Sequence, residues 1–123
     1  MTALGVTVDD VRAFLSQLPR SYEVVVRGRI KFRVGQIVYV AFSRDETLMG
    51  FAFSKEEREA LVASEPHKFV MPTGGDLRFN WLIVRLEAID REEMREIVFD
   101  AWRWVVPKGL AAEYDERFFA GDL

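Results

Sequence analysis

The chain has 123 residues, half of them hydrophobic, with 17 Lys and Arg set against 20 Asp and Glu and no cysteine. That length carries one domain with a real core, and the composition excludes general disorder. The missing cysteines exclude disulfides, thiolate metal sites and a cysteine nucleophile together, and a net charge of −3 excludes a domain that is basic throughout.

In chain order, the first element is a helix. Thr7 and Asp10 make a capping-box-like start, and Val8, Val11, Phe14, Leu15 and Leu18 recur at helical spacing until Pro19 ends the run. From Tyr22 to Phe53 the pattern turns to β. Tyr22–Val26 is a β-branched run that Gly28 breaks or bends before the next strand. Ile30–Val34 and Ile37–Phe42 flank Gly35-Gln36, a hairpin turn in which glycine supplies positive φ. Arg44-Asp45-Glu46 makes a second turn into Thr47–Phe53, so three antiparallel strands in succession form a meander.

Ser54, with Glu57 three residues on, predicts the cap of a second helix reaching Ser64. Ala60 and Leu61 would face inward, and Lys55, Glu56, Arg58 and Glu59 would face water. Lys68–Met71 reads as a short edge strand, Pro72 to Asp76 as a loop, and Phe79–Leu86 as a central strand, apolar on both faces. Asp90 caps a third helix whose Met94, Ile97, Val98, Ala101, Trp102 and Val105 form a wide apolar face, and Pro107 ends it. Phe99 lies off that stripe, placed to dock the C-terminal segment with Phe118 and Phe119. The expected fold class is α+β: a single domain over residues 1–123, with a mainly antiparallel sheet, a β-meander plus later strands, packed against about three helices. Its core would span about 7–112, followed by a C-terminal tail, 113–123.

The start of the chain lacks a basic segment followed by an apolar stretch, so no signal peptide is expected. The longest apolar-rich run, Ile37 to Phe42, is far short of the ~18 residues a spanning helix needs. A cytoplasmic protein with no membrane partner is expected, and the absence of cysteine fits a reducing compartment.

The charge is uneven. Residues 20–44 hold six cations, Arg20, Arg27, Arg29, Lys31, Arg33 and Arg44, and the single anion Glu23, which leaves −8 for the rest of the chain. From Arg27 to Arg33 a cation stands at every second position, interleaved with Gly28, Ile30 and Phe32. In an extended strand such a row shares one face, with successive cations roughly 6.6 Å apart. Like charges in a row repel one another, so the face is either well solvated or meets something anionic. Both readings stand at this point: a plain solvated strand face, or a surface for the phosphates of a nucleic acid, with affinity that falls steeply with salt.

The segment Arg29-Ile-Lys-Phe-Arg-Val-Gly35 and the strand Ile37-Val-Tyr-Val-Ala-Phe42 resemble the first hairpin of the MmcQ/YjbR-like family of small bacterial proteins. Glu56-Glu-Arg-Glu-Ala-Leu61, Glu65-Pro-His-Lys-Phe69, Asn80-Trp-Leu-Ile-Val-Arg-Leu86 and Asp100-Ala-Trp-Arg-Trp-Val-Val-Pro-Lys108 follow in the family's order. The resemblance covers about residues 7–112. It implies an antiparallel sheet packed against helices, and a DNA-binding label that derives from likeness to a double-wing domain of a phage transcription factor. It implies no enzymatic activity and no cofactor. Many members carry a lysine after the hairpin glycine, where this chain has Gln36.

The remaining chemistry-bearing residues point to no reaction. His67 is the only histidine and follows Pro66 in a turn, without the further ligands a zinc site needs. Glu56, Glu57 and Glu59, like Glu92, Glu93 and Glu96, cluster at helix starts, where the helix dipole favours them. No serine lies in a Gly-x-Ser-x-Gly elbow, and Gly74-Gly75 lacks the Gly-Lys-Ser/Thr of a phosphate loop. Trp81 and Trp102 read as core, Trp104 and Tyr114 as partly exposed, and Asp100 with Arg103 as a local ion pair. Arg85, in an apolar run, needs Glu87 or a backbone carbonyl as partner, or else extends the basic surface.

No catalytic residue, metal or cofactor is therefore expected. The leading reading is a non-enzymatic binding module that contacts DNA phosphates through Arg27, Arg29, Lys31 and Arg33, with Arg20 and Arg44. The alternative is a protein-interaction or structural module, monomeric or homodimeric, that uses an exposed sheet face or the Trp104/Tyr114 region.

Overall fold

A computed structural model describes residues 3–123. Six strands, β1 (Ser21–Val26), β2 (Arg29–Val34), β3 (Ile37–Phe42), β4 (Leu48–Ala52), β5 (Phe69–Val70) and β6 (Trp81–Arg85), form one antiparallel sheet in the order β1-β2-β3-β4-β6-β5. Four helices accompany it: α1 (Val8–Leu15), α2 (Arg58–Ser64), α3 (Arg91–Val105) and α4 (Lys108–Phe119). The architecture is α+β, as the sequence predicts. The meander has four strands rather than three, because the break expected at Gly28 is a hairpin turn that pairs the Tyr22–Val26 run with the next strand. Arg27 and Gly28, both at positive φ (53° and 76°), form the two-residue turn that joins β1 to β2. That conformation matches the twist of the strands it connects. Gly35 (φ 59°) and Gln36 turn β2 into β3 as expected.

One sheet face carries the core. Phe32, Val40, Phe42, Met49, Phe51, Leu82 and Val84 alternate onto it and pack with Val11, Phe14 and Leu15 of α1 and Met94, Val98 and Trp102 of α3. Burial of these apolar side chains is the main stabilising term, about 1.5–3 kcal/mol for each large one. Trp102 is fully buried and donates its indole N–H to the Pro19 carbonyl at 3.0 Å, which ties α3 to the link between α1 and β1. Thr7 and Asp10 form the expected capping box on α1, and Asp90 caps α3 by accepting from the Glu93 amide at 2.8 Å.

Three sequence expectations change. The residues assigned to a tail, 113–123, are helical through Phe119, and α4 begins directly after Pro107. Pro107 opens this helix rather than only closing α3, since proline's fixed φ suits a helix start. Leu110, Ala111, Tyr114 and Phe118 are the helical-spaced apolar residues that signal it. Phe118 stacks on Phe99 with centroids 4.3 Å apart and planes 3° apart, the docking that the off-stripe Phe99 suggests, whereas Phe119 stays exposed. Arg103 pairs with Asp115 of α4 at 2.6 Å instead of with Asp100. The third change is α2: it starts at Arg58, and the Ser54 hydroxyl donates to Glu56 instead of capping the helix.

The first turn of α1 and its contact with the sheet make the fold acid-sensitive. Hydrogen bonds from the Thr7 amide and hydroxyl, with Arg91 nearby, hold Asp10 below its usual 3.8; the Arg12 guanidinium holds Glu23 below its usual 4.5. A carboxylate whose folded value is depressed contributes stability that is complete above its unfolded value and disappears as pH falls through the folded one. Thermal unfolding followed from pH 7 to pH 3 is expected to show a falling Tm below about pH 4.5. Glu23→Gln is expected to flatten that acid limb, and an identical limb in the variant would remove Glu23 from the account.

Candidate functional site

The face of the sheet opposite the core is not covered by α1 or α3, and alternation along the strands decides what stands on it. The register aligns Lys31 with Ala41, Ala41 with Gly50, and Gly50 with Ile83, in one row across β2, β3, β4 and β6. Arg29 and Arg33 flank Lys31 on the same face of β2, so three of the predicted cations do form a row. The row is about 13 Å long from the rise per residue. A bulge in β3 sets which residue stands beside the row: the register steps from Phe32↔Val40 to Arg33↔Val38, leaving Tyr39 as the extra residue of β3. Tyr39 is fully buried, hydrogen-bonded to the Ser21 hydroxyl, and burial pushes its phenol up to about 12.

The other three cations are not in the row. Arg27 is at the β1–β2 turn, Arg44 lies in the turn after β3 at that same end of the sheet, and Arg20 precedes β1 at the opposite end. Sequence alternation placed Arg27 on the strand because it could not show that the turn falls at Arg27-Gly28. Arg20 and Arg27 each adopt positive φ, 69° and 53°, which fits turns and not extended strand.

None of these six cations forms an ion pair among the described residues, where six carboxylates, those of Asp9, Asp10, Glu23, Glu65, Glu93 and Asp115, pair instead with Arg12, Lys68, Arg91 and Arg103. Glu23, the single anion in the basic stretch, lies on the core side of β1 and binds Arg12 at 2.7 Å. Arg29 uses its Nε–H on the Phe42 carbonyl at 3.0 Å, which orients the guanidinium along the sheet. The Nε of Arg33 is buried without a hydrogen-bond partner among the described residues. A row of three unpaired cations on an open face is an unneutralised field.

Beside the row lies a groove of ≈550 Å³. Arg29 and Lys31 line one side, and the small or short residues Val38, Ala41 and Ala52 line its floor. Asp76, Phe79 and Trp81 line the far side, while Trp104, 52% exposed, reaches it from the end of α3. Trp81 is thus a half-buried groove wall and not the core residue the sequence suggested. Gly50 is what permits this. A Cβ there would lie 2.5 Å from Trp81 Nε1 and 2.6 Å from Cζ2, against 2.7 Å from the Cε2 between them, so the indole meets the Gly50 backbone with that edge.

The far wall is fixed by a residue the sequence reading put in water. Arg58 is only 6% exposed, and its guanidinium donates to the carbonyls of Leu77 (2.6 Å), Phe79 (2.9 Å) and Trp81 (3.1 Å). The 3-10 turn Gly74–Arg78 ends among these carbonyls, which suits a cation. The Lys55 ammonium adds a bond to the Arg78 carbonyl at 3.1 Å. The local signal for α2, four charged residues in succession from Glu56, resembles any solvated helix start. Arg85 is held as expected, by a carbonyl, that of Pro66 at 3.1 Å. His67 is exposed.

The family model for YjbR matches residues 16–104, nearly three quarters of the chain. The chain belongs to the YjbR family. The matched span contains the whole sheet, the cation row and the groove to Trp104, and stops short of α4. Among solved structures, this YjbR chain is similar to Deinococcus radiodurans protein DR2400, whose crystal structure is described with the family-model domain DUF419. The two share 23% identity at a TM-score of 0.71, over 84% of this chain and 80% of that one. The likeness shows that the fold is shared. No curated protein is significantly similar to the chain. No helix among the described residues is long and apolar enough to cross a membrane.

Proposed function

We propose that this protein is a non-enzymatic nucleic-acid-binding module whose sheet face holds a phosphate backbone along β2. The observation that carries the reading is the row Arg29, Lys31 and Arg33, which shares the face of β2 opposite the core and forms no ion pair among the described residues. Support also comes from the aromatic groove beside the row. An open sheet with cations and aromatic side chains suits single strands, whose bases are free to stack. Arg27 and Arg44, at one end of β2, and Arg20, at the other, extend the field beyond the row.

Fluorescence anisotropy with single-stranded and duplex DNA over a salt series tests this. Three phosphate contacts on a single strand predict that log K falls with log salt at a slope of about −2. Arg29→Glu with Lys31→Glu is expected to weaken binding at least about tenfold and to flatten the slope. Absence of binding at ~50 mM salt, or an unchanged affinity in the double variant, rejects the reading. A second reading, self-association, is favoured by Ile37 and Trp104, 54% and 52% exposed, which line the same groove. Sedimentation across a concentration range that shows a strict monomer would reject it.

A further inference from the structure

The groove is asymmetric in charge and chemistry. Arg29 and Lys31 stand on the β2 side, whereas Asp76 stands opposite with Phe79 and Trp81. An anion is therefore attracted to the β2 side and repelled from the other, which is better suited to a neutral, planar group. The floor beside the cations is kept low by Ala41, the cross-strand neighbour of Lys31, and by Ala52, while the Trp81 edge stands over Gly50, the next position of that row. With strands about 4.8 Å apart, the two steps from β2 to β4 separate the cation strand from that edge by about 10 Å. Trp81 is held by one edge on Gly50, which leaves its ring faces to what enters the groove. Arg58 holds the opposing segment through three carbonyls, so the wall is built before any ligand arrives.

Resting on the nucleic-acid reading above, we propose that the groove between β2 and Trp81 takes one unstacked base of a single strand whose phosphates run along Arg29, Lys31 and Arg33. A cation row longer than one phosphate favours a strand over a free nucleotide. The base stacks against Trp81 or Phe79, its sugar and phosphate point to β2, and the contact is tolerant of sequence because every base has a π-face.

The test compares a short oligothymidylate with an abasic strand of equal length, which has the same phosphates and no bases. Oligothymidylate is expected to bind about tenfold more tightly at equal salt, and to quench tryptophan fluorescence in the native chain but less in Trp81→Phe. Ala41→Leu, which fills the floor of the groove without altering a charge, is expected to lower oligothymidylate affinity to that of the abasic strand. Ala52→Leu fills the same floor from β4 and serves if Ala41→Leu does not fold. Equal affinities for the two strands, with the salt slope retained, overturn the base site and leave the phosphate row standing. Failure of both strands to bind overturns both.

Discussion

Arg58→Ala is expected to destabilise the protein by about 3 kcal/mol, measured as a lower urea midpoint at an unchanged m-value. The buried guanidinium donates three hydrogen bonds, to the carbonyls of Leu77, Phe79 and Trp81. Hydrogen bonds from a charged donor contribute roughly 1.5–3 kcal/mol each, but water reaches the freed carbonyls at this rim, so the three do not add in full. Lysine is no substitute, because one ammonium does not span three acceptors as the planar fork does. Arg58→Lys is therefore expected to recover less than half of the loss. Amide exchange should also quicken through residues 74–80 in both variants, since Arg58 is the main tie between that segment and α2. A loss below about 0.5 kcal/mol would show that Arg58 is no more than a surface residue.

Gly50→Ala is expected to cost about 2 kcal/mol and to move Trp81. The new methyl would stand 2.5 Å from the indole nitrogen, closer than two atoms can approach, and a tryptophan side chain has only two torsions with which to escape. Either the indole swings into the groove or β4 parts from β6. The first outcome shifts tryptophan emission; both lower the Tm. The decisive measurement is a double-mutant cycle with Trp81→Leu. If the cost of Gly50→Ala arises at the indole, it falls sharply in the Trp81→Leu background, with a coupling energy of at least about 1 kcal/mol. Additive costs would place the strain in the strand itself, as loss of glycine from a special backbone conformation. The φ of Gly50 is not in the left-handed region, so additivity is not expected.

These two residues mark where sequence reading stopped. Glycine inside Thr47–Phe53 looks like a weakness in a strand until β6 is laid beside β4. Then Ala52 faces Trp81, the indole reaches back over Gly50, and the glycine becomes the seat of a wall. Arg58 sits in the run Glu-Glu-Arg-Glu, and local pattern gives it to solvent. Its partners lie 19 to 23 residues further on, in a segment whose path over the sheet no periodicity encodes. The groove has the same origin. Its lining comes from β2, β3, β4, the 3-10 turn, β6 and α3, and no local motif joins the meander strands to the other three.

Period-two and period-3.6 hydrophobicity did determine much by themselves. The antiparallel meander, the Gly35-Gln36 turn, the caps of α1 and α3, the interior position of β6 and the membership in the YjbR family all follow from local pattern and ordered segments. So does the row of cations, because alternation in a strand fixes the face of each side chain wherever the other face is buried. What tertiary structure alone decided is which cations belong to it, and what stands beside it. A turn at Arg27-Gly28 took Arg27 out of the strand, folding brought no described carboxylate within ion-pair distance of Arg29, Lys31 and Arg33, and the register of β4 against β6 set an indole next to them. Alternation is a property of neighbours along the chain, whereas pairing, burial and register are settled between segments that the chain brings together only on folding.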